Sequence, residues 1–156
     1  MPNVKLTRIL VPQDFSEYSL HALKYAVTFA ELFKSELIVL HIVEPIVYPA
    51  DFSFGQVSIP AMEEEIRKHS EEQLNELVSK EIPDQIKATP MIRVGKPFIE
   101  IVEVAKSESA DLIIISSHGR TGMDHVLFGS TADKVVRKAP CPVLTIRPHE
   151  HEFVVP

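Results

Sequence analysis

Short, nearly continuous runs of Ile, Leu and Val recur along the chain, and stretches with helical spacing separate them. Such runs are typical of strands that are buried on both faces of a parallel sheet. One further run contains Pro90, which assigns it to a sheet edge or a bulge because proline cannot donate a ladder hydrogen bond. The predicted strands are Arg8–Val11, Leu37–Val43, Ile86–Val94, Asp111–Ile115 and Val143–Ile146.

Apolar residues at three- and four-residue spacing predict four helices between these strands. The expected inward positions include Phe33 on the first helix, Met62 and Ile66 on the second, and Val135 and Val136 on the fourth. The predicted helices are Glu17–Phe33, Ala61–Lys80, Phe98–Ser109 and Gly129–Lys138. Residues 44–60 show neither the helical nor the strand spacing and contain three prolines and a glycine. They therefore predict a long loop, which we expect to act as a lid or a partner surface.

The alternation of strands and helices predicts an α/β fold, an open doubly wound parallel sheet with helices on both faces. The 156 residues fit one domain, for which we expect residues 1–148, with a C-terminal tail over 149–156. In such a sheet, ligands bind beyond the carboxyl ends of the strands, where the strand order reverses. The segments after the first and fourth strands are therefore the first places to look for a site.

The amino-acid composition argues against several classes of function. With 45% hydrophobic and 24% charged residues the chain can fold around a core, and its net charge of −6 argues against a nucleic-acid-coating protein. No apolar run is long enough for a membrane helix, and no secretory signal opens the chain, so we expect no membrane partner and a cytoplasmic location. One cysteine, Cys141, excludes an internal disulfide and is expected to be a packed hydrophobe. The seven histidines show no metal-ligand spacing.

The segment after the fourth strand is a candidate phosphate cradle. It reads Ser116-Ser117-His118-Gly119-Arg120-Thr121-Gly122, and Gly129-Ser130-Thr131 then opens a helix. Glycines allow close backbone approach to an anion, and the first N–H groups of a helix have no internal acceptor. The alternative is that the glycines only form turns and Ser130 only caps the helix, and spacing does not decide between the two. No P-loop and no Gly-x-Gly-x-x-Gly motif is present.

Taken together and in order, several segments resemble the universal stress protein family over nearly the whole chain. They are Arg8–Pro12 with Asp14-Phe15-Ser16, Leu40–Val43, Asp111–Ile113, Ser117–Arg120, Leu127–Ser130 and Ala139–Leu144. The resemblance implies a five-stranded sheet in the order 3-2-1-4-5. In one subgroup it also implies ATP bound by the pattern Gly, two residues, Gly, nine residues, Gly, Ser or Thr.

On this chain the pattern's second and third glycines fall at Gly119 and Gly129, with Ser130 next, whereas Ser116 stands at the first glycine. The Ser116 side chain could crowd the phosphates or add a hydroxyl to them. The resemblance also places Pro12 and Asp14 near the adenosine, with Ile42 walling the adenine. The implied site residues are Pro12, Asp14, Ile42, Ser116, His118, Gly119, Arg120, Gly122, Gly129, Ser130 and Thr131.

The resulting hypothesis is an ATP-binding regulatory or sensor domain of a stress response, with ATP alone or with Mg²⁺ as the cofactor. It acts as a homodimer paired through strand five, formed by Val143, Leu144, Thr145 and Ile146. Two alternatives remain: an interaction module of the same fold with a vestigial site, and a slow ATPase. Only Asp14 and His118 stand near the loop as potential catalytic groups, so any ATP hydrolysis is expected to be slow.

Overall fold

The computed structural model describes residues 4–47, 59–120 and 128–148. Every predicted strand and helix is present in this part of the chain, and the bounds of the first helix and the last strand match the prediction. The elements are β1 Arg8–Pro12, α1 Glu17–Phe33, β2 Glu36–Val43, α2 Ile59–Glu81, β3 Ala88–Val94, α3 Pro97–Ser107, β4 Leu112–Ser116, α4 Ser130–Lys138 and β5 Val143–Ile146. The expectations for a lid, for Gly122 and for a tail concern residues outside the described ranges, apart from the ends of the 44–60 loop.

The five strands form one parallel sheet in the order β3-β2-β1-β4-β5, which confirms the predicted fold class and strand order. Alternate residues of each central strand face opposite sides, so Ile9 and Val11 belong to one core cluster and Leu10 to the other. Residues of α1 and α2 cover the first face, and residues of α3 and α4 cover the second. The reversal of strand order lies between β1 and β4, at the place predicted for a site.

Some apolar side chains that were expected to face the core are exposed. Phe33 is 46% exposed and Val136 is 48% exposed, whereas Met62 and Ile66 on α2 are 37% and 38% exposed. On α1 the buried face consists largely of small residues, among them Ala22. The helix thus lies close to the sheet, and the bulky Phe33 at its end falls outside the contact. Val136 follows the fully buried Val135, and adjacent residues point in different directions around a helix.

Strand β3 lies at a sheet edge, as Pro90 predicted. Lys87 O accepts from Leu37 N at 2.9 Å and Gly95 N donates to Val43 O at 3.0 Å, so odd-numbered residues of β3 face β2. Pro90 therefore stands on the outward side of the ladder, where it removes a donor from the free edge without breaking a bond to β2.

None of the helices in the described residues combines the length and the apolar character that crossing a bilayer requires.

Candidate functional site

A cavity of about 300 Å³ opens at the carboxyl ends of β1 and β4, where the strand order reverses. The predicted site residues that the structure describes all line this cavity, and Gly122 lies outside the described residues. The chain thus brings together two segments about a hundred positions apart in sequence. The predicted residues in the lining are Pro12, Asp14, Ile42, Ser116, His118, Gly119, Arg120, Gly129, Ser130 and Thr131.

Asp14 follows β1 and is held by hydrogen bonds from both segments. Its Oδ1 accepts from the Ser16 backbone N–H at 3.0 Å and from the Ser16 hydroxyl, and its Oδ2 accepts from the Arg120 N–H at 3.1 Å. Burial alone would raise the pKa of Asp14, but hydrogen bonds from Ser16, Ser19 and Arg120 lower the pKa below its ordinary value. Asp14 is therefore an ionised acceptor at neutral pH, and its Oδ2 has a lone pair to spare.

Arg120 connects the loop after β4 to the turn after β1. Its Nε donates to the Asp14 carbonyl oxygen at 2.8 Å, while its backbone N–H donates to the Asp14 carboxylate. Gly119 precedes it, and a Cβ at that position would stand 3.0 Å from Asp14 Oδ2. A side chain at position 119 would therefore crowd the Asp14 oxygen that still has accepting capacity.

Gly129 packs directly against the loop that follows β4. Its N–H donates to the Ser117 carbonyl at 2.7 Å, and a Cβ on Gly129 would meet that carbonyl at 3.2 Å. Its φ of −63° is open to any residue, so glycine is favoured here by the close approach and not by backbone strain. Gly129 thus holds the start of α4 against the Ser117–Gly119 backbone.

Among the described residues, the first N–H groups of α4 have no hydrogen-bond acceptor, and they lie at the cavity. Gly129 is the N-cap and provides no side-chain hydrogen bond, so the N–H groups of Ser130, Thr131 and Ala132 have no intrahelical acceptor. The same three residues line the cavity. Uncapped amides and the positive end of the helix dipole form a binding place for an anion.

Ser116, which departs from the family pattern, braces the loop. Its hydroxyl donates to the His118 carbonyl at 2.7 Å and accepts from the His118 N–H at 3.3 Å. This side chain is 7% exposed and closes a short turn on its own backbone. The Ser116 hydroxyl therefore fixes the turn that follows β4 through two hydrogen bonds to its own loop.

The cavity also contains residues that sequence reasoning missed, notably Gln13 and Glu44. Gln13 is 3% exposed, and its Nε2 donates to the Ser19 carbonyl at 2.8 Å. Its Oε1 has no hydrogen-bond partner within the described residues. A glutamine between a strand and a helix cap carries no periodic signal, so nothing in the sequence pattern marked it as buried.

Behind the site, His41 of β2 supports the turn after β1. Its Nδ1 lies 2.8 Å from the Gln13 carbonyl oxygen, which requires the Nδ1–H tautomer, and its ring lies 4.4 Å from the Phe15 ring. Phe15 adopts a left-handed φ of 64°, so this contact supports a strained turn. Burial is the main cause that lowers the pKa of His41.

The lowered pKa of His41 predicts a pH-dependent stability. Below the ordinary histidine pKa of about 6.5 the unfolded chain takes up the proton more readily than the native protein. The free energy of unfolding should therefore fall as pH decreases from about 7 to about 5. The replacement His41→Asn keeps a donor near the Nδ1 position without the titration and should flatten this slope in urea unfolding. A wild-type slope in His41→Asn would contradict the assignment.

With the site's geometry in place, comparison with known proteins identifies the family. Residues 5–147 match the profile of the universal stress protein family. This chain belongs to that family. The match spans every described strand and helix, so the family fold and the cavity lie within the same segment.

Named relatives support the assignment. The universal stress protein MJ0577 of Methanocaldococcus jannaschii is 34% identical over 157 residues, covering 93% of this chain and 97% of that protein. A solved structure of MJ0577 has a TM-score of 0.80 at 30% identity, covering 95% of this chain and 100% of that chain.

Two more distant universal stress proteins have been solved with nucleotides and share the fold. One, in complex with cAMP, has a TM-score of 0.62 at 22% identity and covers 92% of this chain and 98% of that chain. The other, from Archaeoglobus fulgidus in complex with dAMP, has a TM-score of 0.60 at 22% identity and covers 92% of this chain and 99% of that chain.

Proposed function

We propose that this protein is an ATP-binding regulatory or sensor domain of a stress response and that it acts as a homodimer. The observation that carries the proposal is the uncapped amino end of α4, whose free N–H groups line the same cavity as ionised Asp14. Phosphates fit the first feature and the hydroxyl or amino donors of adenosine fit the second. The adenine nucleotides in two solved family members support this choice of ligand.

In this proposal the phosphate end of the cavity is formed by the Ser117–Gly119 loop and the first turn of α4. The amides and hydroxyls of Ser130 and Thr131 would hold the phosphates. The Gly129 amide does not take part, because it already donates to Ser117. Gly129 acts instead by keeping the helix start and the loop in contact.

The adenosine end would lie near Pro12, Asp14 and Ile42, which line the cavity beyond β1 and β2. The spare lone pair of Asp14 Oδ2 can accept from a ribose hydroxyl or from the adenine amino group. Pro12 and Ile42 offer apolar surface to the base. Arg120 holds Asp14 at its backbone carbonyl through Nε, so it would position the carboxylate.

The expected affinity follows from these contacts. Three or four hydrogen bonds to charged phosphates at about 1.5 kcal/mol each contribute roughly 5–6 kcal/mol. Burial of the adenine adds roughly 2–3 kcal/mol, and association costs several kcal/mol. The net value corresponds to a Kd that is micromolar or weaker. Such a site would respond to the cellular ATP concentration.

The proposal assigns no efficient catalysis to the site. Rapid phosphoryl transfer needs positioned metal ions and charge stabilisation in the transition state. To test the proposed function, the purified protein is equilibrated with ATP by dialysis, its bound nucleotide is quantified by ultraviolet absorbance and identified by mass spectrometry, and hydrolysis of ATP is assayed separately. An excess of ATP on the protein side supports the proposal, no excess at millimolar ATP would contradict it, and a turnover above about 1 per second would contradict the regulatory assignment.

Two substitutions separate the effect of the Ser116 hydroxyl on ATP binding from the effect of the rest of its side chain. Ser116→Ala removes the hydroxyl that bridges to His118 and should weaken ATP binding about three- to tenfold, since one lost hydrogen bond is worth about 0.5–1.5 kcal/mol. Ser116→Gly loses the same bond but restores the glycine of the family pattern and removes the Cβ from the cavity lining, and we expect it to bind more tightly than Ser116→Ala. Calorimetric titration measures both variants. Equal affinity in wild type and both variants would show that the brace has no influence on the site.

The free edge of β5 supports the homodimer part of the proposal. Pro142 O accepts from Ile113 N at 3.0 Å and Ile146 O accepts from Ser117 N at 2.9 Å, so even-numbered residues of β5 face β4. Val143 and Thr145 therefore direct their N–H and C=O groups outward. Unlike the β3 edge, where Pro90 removes an outward donor, the β5 edge keeps its donors and can pair with a second copy.

A further inference from the structure

A second cavity lies beside the first, where the ends of β2 and β3 meet the start of α2. Its volume is about 210 Å³, and Glu44 lines both cavities, so they share a wall. The proposed ATP site does not use this cavity. Its apolar lining consists of Val43, Pro45, Ile46, Pro60, Ile66 and Val94.

The first half of α2 carries further exposed apolar residues near this cavity, and one of them, Ile66, is part of its lining. Ile59, Met62 and Ile66 recur at three- and four-residue spacing and are 37–39% exposed, while Val94 at the end of β3 is 54% exposed. Further along the same helix, Leu74 is 1% exposed and belongs to the core. The apolar stripe of α2 therefore extends past the sheet it packs on. Clustered exposed apolar residues of this kind mark interaction surfaces.

The charges around this cavity are mainly negative. Glu44, Glu63 and Glu64 contribute to its lining together with Arg67. Arg67 is engaged by Glu64 at 2.9 Å and by Glu71 at 3.5 Å. Within the described residues Glu44 and Glu63 have no cationic partner, so the rim offers two carboxylates to an incoming cation.

We propose that this surface, the α2 groove formed by Ile59, Met62, Ile66, Val94 and Glu63, docks an amphipathic helix of a partner protein whose apolar face is flanked by Lys or Arg. The helical spacing of the apolar stripe suits packing against another helix, and the cavity beneath Ile66 and Val94 accepts a large apolar side chain. The unpaired carboxylates select a basic partner over an acidic one. The α2 groove does not require nucleotide in the first cavity.

The test uses a labelled 14-residue helical peptide of Leu and Lys at heptad spacing, and a matched peptide with Glu in place of Lys. Fluorescence anisotropy without nucleotide should show the Leu/Lys peptide binding at least about tenfold more tightly than the Leu/Glu peptide. Val94→Ser should weaken Leu/Lys binding about fivefold or more, because a side chain buried by the partner is lost. Val136→Ser is the matched control, since this valine is 48% exposed on α4, outside the cavity.

Thermal melting of both variants checks that their folds are intact. Glu63→Gln should also weaken binding of the Leu/Lys peptide, whereas Glu72→Gln on the same helix, outside the cavity lining, should not. Equal binding of the two peptides, or equal effects of Val94→Ser and Val136→Ser, would overturn the proposal. If Val94→Ser instead changes the sedimentation of the protein alone, the groove is occupied by a second copy and the proposal of a foreign helix is wrong. Because no ATP is used, these outcomes are independent of the proposed nucleotide site.

Discussion

The replacement Gly129→Val is expected to abolish measurable ATP binding. A Cβ at this position already meets the Ser117 carbonyl at 3.2 Å, and the two methyl groups of valine would add to that contact. The loop after β4 and the start of α4 would have to separate, which breaks the 2.7 Å bond from Gly129 N to Ser117 O. The loop and the free amides of α4 would then no longer converge on one phosphate group. Calorimetric titration should show that the affinity for ATP falls by about a hundredfold or more, which is equivalent to losing two charge-assisted hydrogen bonds.

The matched control is Gly129→Ala. Alanine needs only a shift of a few tenths of an ångström at the Ser117 carbonyl, and its backbone conformation at φ −63° is unstrained. We expect Gly129→Ala to retain binding within about tenfold of wild type. If the valine variant has a native circular dichroism spectrum and still binds like wild type, the convergence of loop and helix is not what holds the phosphates.

The replacement Thr145→Pro is expected to convert the proposed dimer into a monomer. The Thr145 N–H points away from β4, so proline at this position removes a donor from the free edge but no ladder bond within the sheet. A substitution at Leu144 would be less informative because that side chain packs against the core. Sedimentation equilibrium should show a dimer for wild type and a monomer for Thr145→Pro at the same concentration.

The control for this experiment is Val94→Pro, which places proline at an outward position of the opposite sheet edge. This variant should remain dimeric. A dimeric Thr145→Pro, or a monomeric wild type, would mean that strand five does not form the proposed interface.

Most of the fold could be predicted because buried parallel strands and amphipathic helices leave periodic patterns. Pro90 additionally predicted a sheet edge or a bulge, and β3 lies at a sheet edge. The wrong predictions concern inward-facing positions, because the spacing of apolar residues along a helix does not by itself show which of them contact the sheet. Phe33 lies at the end of α1 and is 46% exposed, and Val136 directly follows the buried Val135 and therefore points away from the core.

The candidate site was predictable as a set of positions but not as an arrangement of atoms. The order of the motifs along the chain predicted that Asp14, Gly119 and Ser130 would share a site, and all three line one cavity. Sequence alone gave no sign that the Ser116 hydroxyl bonds to its own loop or that the Gly129 amide is already occupied. The first detail depends on the conformation of a local turn and the second on close packing of the loop after β4 against the start of α4, and a one-dimensional pattern encodes neither.

Calorimetric titration of ATP into the wild-type protein tests most directly whether the cavity between β1 and β4 binds ATP. We predict saturable binding of about one ATP per chain with a Kd that is micromolar or weaker. The absence of saturable binding up to about 5 mM ATP, with the protein shown to be folded, would mean that the cavity is not an ATP site.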